Sequence, residues 1–192
     1  PSYWVNATNY ICSKASDAQP IVVWVAGTIS GNSCRLSFPS LGGSYPNIIF
    51  SSTDKNENYL DAFDAAGIKF WLTVEPSDAD VETLITLVFD RYKHHSCLTG
   101  FGIDIEWYKS SSYPEGKPVT YNEATTWLTK IKSYDSNYRL RLVHWQSSKM
   151  PSPHPSDAMF ADDAQGFSDL DAMANSFKRW GNTFLGGAVG FS

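Results

Sequence analysis

The chain has 192 residues, of which 42% are hydrophobic and 18% charged, and a formal net charge of −5. That length builds one sizeable core and is too short for two ordinary domains. The acidic balance, with no basic cluster denser than Lys178-Arg179, argues against neutralising a nucleic-acid backbone. The apolar runs at 21–26 and 84–89 are far shorter than a membrane span.

Residues 1–20 read as a polar, irregular segment with one aromatic cluster (Tyr3, Trp4, Tyr10), and residues 21–192 as a single domain. The unbroken apolar run 21–25 ends at Gly27, and a second run, 47–50, follows a Gly/Pro/Ser loop. Both have the character of buried strands in a parallel sheet. Residues 59–66 fit a helix stopped by Gly67. In the next strand, 68–74, Phe70, Leu72 and Val74 share one face, while Trp71, Thr73 and Glu75 share the other. Residues 77–80 resemble a capping box with Asp in place of Glu. Val81, Leu84, Ile85, Val88, Phe89 and Tyr92 follow at helical spacing.

The segment 100–108 (Gly-Phe-Gly-Ile-Asp-Ile-Glu-Trp-Tyr) is the most informative. Strand alternation puts Ile103 and Ile105 on one face and Asp104 and Glu106 on the other. Two neighbouring carboxylates lose hydration and repel each other, which is costly unless the pair is used. A Ser/Tyr/Pro/Gly/Lys loop (109–119) leads to the capping box Thr120…Glu123 and the apolar stripe Ala124, Trp127, Leu128, Ile131 and Tyr134. Then come a strand at 138–145, a Pro/Ser-rich loop, a short strand at 159–164, a helix at 168–177 and a glycine-rich strand at 185–191. Strand–helix alternation at this pitch implies βα units on a parallel sheet. The strand count is seven, or eight with residues 3–5. The expected fold is α/β, a small or incomplete (β/α)8 TIM-type barrel, with an open doubly wound parallel sheet as the alternative. Neither a dinucleotide fingerprint nor a Walker motif is present, so no nucleotide cofactor is expected.

Acids at the C-terminal ends of barrel strands sit where substrates bind. Glu106 and Glu75 end what should be neighbouring strands, so a carboxyl pair within about 5–10 Å is expected. Glu106 is the candidate general acid, Glu75 the base or nucleophile, and Asp104 the group that tunes Glu106. Trp107, Tyr108, His144, Trp145, Gln146, Asp162, Asp163 and Gln165 are the candidate substrate-binding residues, near the same strand ends. A metal-dependent hydrolase using His144, Asp162, Asp163, Glu75 and Glu106 is a rival, but no tight ligand spacing supports it and no metal is expected. His94-His95 closes a helix, where a cationic side chain suits the dipole. The aromatic content of 15%, with seven Trp, leans toward stacking on sugar rings.

Residues 102–107 (Gly-Ile-Asp-Ile-Glu-Trp) resemble the fourth-strand signature of glycoside hydrolase family 18, the chitinases and chitinase-like lectins. Gly186-Gly187-Ala188-Val189 resembles a late strand of such barrels. The resemblance implies a polysaccharide or glycan partner and glycoside hydrolysis. On the family pattern Asp104 takes the middle Asp and Glu106 the last Asp, so the proton-donating Glu falls on Tyr108. Either Glu106 does that work from one pleat earlier, or the chemistry differs, or the barrel binds glycans without cleaving them. The substrate-assisted mechanism of the family is therefore not carried over. Three cysteines, of which Cys12 and Cys34 flank the first strand and could pair, the acceptor triplet Asn6-Ala7-Thr8 and the absence of an initiating Met lean toward a secreted or extracellular setting, including membership of a larger cell-surface protein.

Overall fold

The structure is a computed structural model and describes residues 1–15 and 17–191. Eight strands form one sheet in the order β3-β2-β1-β4-β5-β6-β7-β8. They are β1 (Ile21–Ser30), β2 (Ser33–Leu36), β3 (Ile48–Phe50), β4 (Lys69–Val74), β5 (Leu98–Asp104), β6 (Arg139–Val143), β7 (Ala158–Asp162) and β8 (Ala188–Phe191). From β1 through β4 to β8 every pairing is parallel. The β1–β2 hairpin is antiparallel and was not anticipated from the sequence. The α/β class with a mostly parallel sheet holds. The sheet is not closed: β3 and β8 lie at its two ends.

Helices α2 (Glu57–Ala66), α3 (Val81–Tyr92), α4 (Tyr121–Lys132) and α5 (Leu170–Thr183) connect the strands. The strand order from β4 to β8 never reverses. With right-handed crossovers, each helix then returns to the same face. Ring contacts agree: Phe63 of α2 meets Phe70, Phe89 of α3 meets Phe101, and Phe184 just beyond α5 stacks on Phe160. Those three strand residues share the face that carries Leu72, Ile103, Leu140 and Leu142, all fully buried. A doubly wound sheet needs helices on both faces and a reversal of strand order. Here the order does reverse, running 3-2-1 and then 4-5-6-7-8 with the switch between β1 and β4, but the helices that follow pack on one face of an open, mostly parallel sheet.

The local signals for helix ends were largely right. Gly67 caps α2 in the left-handed conformation, at φ 65°. Thr120 and Glu123 form the full reciprocal capping box on α4. For α3 the cap is Asp80 itself, whose side chain accepts from Thr83 N–H, so the helix begins three residues later than the 77–80 box implied. Asp169 rather than Ser168 caps α5. The segment expected to be irregular contains helix α1 (Ser2–Cys12), which sets Trp4 edge-on against Trp24. Cys12, Cys34 and Cys97 are all free, so the suggested Cys12–Cys34 pair does not form. Burial pushes the Cys34 thiol up to about 12, leaving it an inert core side chain. Among the described residues no helix is long and apolar enough to cross a membrane.

Candidate active site

The face of the sheet without helices carries the polar residues. Reading across the register, Thr73, Gly102 and Arg141 lie side by side, and Asp104 sits beside Val143 and Ala161. Gly102 is required here by its neighbour. A Cβ at that position would meet Thr73 Oγ1 at 2.5 Å and Thr73 Cβ at 2.8 Å.

Strand β5 ends at Asp104, two residues earlier than the alternating pattern indicated. Residues Ile105–Trp107 then form a single 3-10 turn, and the Asp104 side chain accepts the Glu106 N–H at 3.2 Å. The turn has a chemical consequence. Along an extended strand, residues i and i+2 are separated by about 7 Å. The turn folds Glu106 back, so that carboxylate oxygens of Asp104, Glu106 and Asp163 all lie within 4.8 Å of one another. Asp163 follows the last residue of β7 and comes in from two strands away.

Two adjoining hollows share this cluster. The outer one, about 390 Å³, is lined by Glu106, Trp145, Asp163, Ala164 and Gln165. The inner one, about 350 Å³, takes in Val23, Thr73, Glu75, Asp104, Arg141 and Asp163. Burial, then the charges of Asp163 and Glu106, pushes the Asp104 carboxyl up to about 7. Glu106 is raised by burial and by Asp163 and Glu75. Asp163 is raised chiefly by burial, with His144 and Arg141 pulling the other way. At neutral pH the cluster therefore keeps a proton among closely spaced carboxyls. Two residues that line the inner hollow each bury a polar atom with no hydrogen-bond partner, Thr73 Oγ1 and Asp163 Oδ1.

No family model matches the chain, and no curated protein or solved structure does.

Six of the eleven residues singled out in the sequence converge on these hollows: Glu75, Asp104, Glu106, Trp145, Asp163 and Gln165. Glu75 is partly committed, since its Oε2 accepts the Ile29 N–H at 2.7 Å. The other five are placed elsewhere. Tyr108 is buried, donates to Glu123 Oε1 at 2.8 Å and stands edge-on to Trp127. His144 is fully buried on the helix side: Nε2–H donates to Glu115 O, and Nδ1 accepts the Gln146 N–H. With both ring nitrogens engaged, His144 has no atom left for a metal or a substrate. Gln146 donates to Glu115 Oε2. Asp162 is buried and accepts the Ala164 N–H. Trp107 is half-buried at the end of the 3-10 turn and lines neither hollow. The metal donor set read from the sequence is thus split. Of that set Glu106 and Asp163 draw close, and Asp104, which was not in it, joins them to make a group of carboxylate oxygens of the kind a hard cation prefers. Thr73 and Arg141 are site residues that sequence reasoning passed over. Their inward parity was readable from Leu72 and Leu140, their apolar strand neighbours.

Proposed function

We propose that this protein is a glycoside hydrolase-like enzyme acting on a polysaccharide by carboxylate acid/base catalysis. The observation that carries the reading is the convergence of Asp104, Glu106 and Asp163 within 4.8 Å, with the Asp104 carboxyl pushed up to about 7. Retaining glycosidases place their two carboxyls about 5–5.5 Å apart and inverting ones about 6.5–9.5 Å, and oxygens that all lie within 4.8 Å of one another suit the closer arrangement. In this scheme Glu106, in the hollow it shares with Trp145 and Gln165, delivers a proton to the glycosidic oxygen. Asp163, which lines both hollows, attacks the anomeric carbon as the leaving group departs with that proton, and water then hydrolyses the glycosyl ester. Asp104 keeps the shared proton beside Glu106. Asp163 suits the nucleophile's role better than Glu75, which already accepts from Ile29. Trp145 supplies an apolar ring at the rim for a sugar face.

The same reading takes the sheet as a sector of a (β/α) barrel. It is supported by helices confined to one face and acids at the C-terminal ends of β4, β5 and β7 on the other. An extracellular setting goes with a polysaccharide substrate, and exposed Asn6 on α1 leaves its acceptor triplet accessible.

A second reading, a glycan-binding protein without turnover, is favoured by Tyr108. The position of the family's proton donor is held by a side chain turned into the core. Assay of wild type and Glu106→Gln on a panel of polysaccharides, scoring reducing ends and binding in parallel, separates the two. The catalytic reading expects a loss of about 100-fold or more in turnover with binding retained. Equal turnover in both proteins removes Glu106 as the acid. Binding without turnover in either protein selects the second reading.

A further inference from the structure

Away from these acids, before β5 begins, two histidines and a carboxylate meet. Glu57 opens α2 and Asp64 lies seven residues further on, so the two acids share one face of that helix. His94 and His95 fall between the end of α3 and the start of β5. His94 Nε2 lies 3.1 Å from Glu57 Oε1, and His95 Nε2 lies 3.4 Å from the same oxygen. Behind His95, Asp64 Oδ2 stands 2.6 Å from Nδ1. Asp64 also accepts from Ser96 Oγ and Cys97 N–H.

This arrangement fixes the histidine. A carboxylate only accepts, so His95 Nδ1 carries a hydrogen, and in the neutral ring Nε2 then presents a lone pair. His95 is only 3% exposed, and its Nε2 has no hydrogen-bond partner; nor does the buried Glu57 Oε2. A lone pair facing a carboxylate at 3.4 Å is repulsive unless positive charge lies between them. Either Nε2 is protonated or a cation belongs there. The geometry favours the cation. Donor atoms of Glu57, His94 and His95 all lie within 4.8 Å of one another. Tetrahedral zinc with bonds of about 2.05 Å has donor–donor edges of about 3.3 Å. The two donor separations from Glu57 Oε1, 3.1 and 3.4 Å, bracket that edge.

We infer that Glu57, His94 and His95 form a zinc site, with Asp64 as the carboxylate that orients His95. Imidazole nitrogen with one carboxylate oxygen is a donor set suited to Zn²⁺. A carboxylate hydrogen-bonded to the far nitrogen of a ligating histidine is the usual support for such a ligand. Three protein donors leave a fourth position for water or another ligand. A hollow of about 440 Å³ lies beside both histidines, lined by His94, His95, Ser96, Lys69 and Lys93 among others. The ion would tie the first turn of α2 to the end of α3, independently of the carboxylate cluster.

The test is titration of the EDTA-stripped full chain with Zn²⁺ by calorimetry and with Co²⁺ by visible absorption. One ion per chain, intense tetrahedral Co²⁺ bands and a raised Tm are expected. His94 and Glu57 lie near the surface, so His94→Ala and Glu57→Gln should keep the fold, checked by circular dichroism, while weakening binding about 100-fold or more. Asp64→Asn should cost about 10–100-fold. A wild type that binds no Zn²⁺ overturns the proposal and leaves a protonated His95 between two acids. Binding that survives both His94→Ala and Glu57→Gln also overturns it, and points to the Asp104 cluster.

Discussion

Replacing Asp104 with Asn should stabilise the protein, and only above a certain pH. Folded Asp104 holds its proton up to about pH 7, against an ordinary 3.8. Between those values the native state binds more protons than the unfolded chain, so stability falls as pH rises through that window. The interval from 3.8 to about 7 corresponds to about 4 kcal/mol at 1.36 kcal/mol per pH unit, a ceiling reached only above pH 7. Asn copies the shape of the protonated acid, and its side-chain oxygen still accepts the Glu106 N–H. The substitution removes a charge that is crowded by Asp163 and Glu106 but also favoured by Arg141. With that offset, a net gain of about 1–3 kcal/mol is expected at pH 8, which raises Tm by about 2–4 °C per kcal/mol in a chain of this size. Urea unfolding at pH 3, below the ordinary value of 3.8, and at pH 8 checks it. The two proteins should coincide at the lower pH and separate at the higher. An Asp104→Asn variant no more stable than wild type at pH 8 would refute the account of Asp104 as an acid kept protonated by its surroundings.

Gly102→Ala drives a methyl into Thr73 on the neighbouring strand and should cost about 1–3 kcal/mol, read as a lower urea midpoint. An unchanged midpoint would show that β4 and β5 have slack. Tyr108→Phe deletes the hydroxyl that donates to Glu123 and should cost about 1–2 kcal/mol in the same assay, leaving glycan binding intact. Loss of binding in that variant would mean that Tyr108 reaches the ligand.

What the sequence disclosed depended on the range of the forces involved. Thr120 and Glu123 are three residues apart, and their reciprocal hydrogen bonds are local, so the start of α4 was readable. The same holds for Gly67, whose left-handed φ follows from having no side chain. The alternation of Leu72 with Thr73 and of Ile103 with Asp104 showed which face meets the helices. It broke down at Glu106, because the Asp104 side chain captures the next backbone N–H but one and converts the pleat into a turn. Short β2 escaped notice because four residues carry little periodicity. Asp163 was seen as a site residue, but not as a close neighbour of Asp104, since β6 intervenes between their strands. Glu57 and His94 lie 37 residues apart, and only packing of α2 beside α3 unites them. His144 shares its parity with Leu140 and Leu142, so its inward turn was readable from alternation, whereas Tyr108 lies beyond the 3-10 turn, where alternation no longer applies.

Confining the helices to one side of the sheet divides the labour among the strand residues. Leu72, Ile103, Leu142 and Phe160 answer for cohesion, and their alternate neighbours are released from it. A lineage could therefore exchange Thr73, Arg141 or Asp163 for other chemistry with little disturbance to the packed layer beneath, and trial substitutions for a new ligand would best begin there.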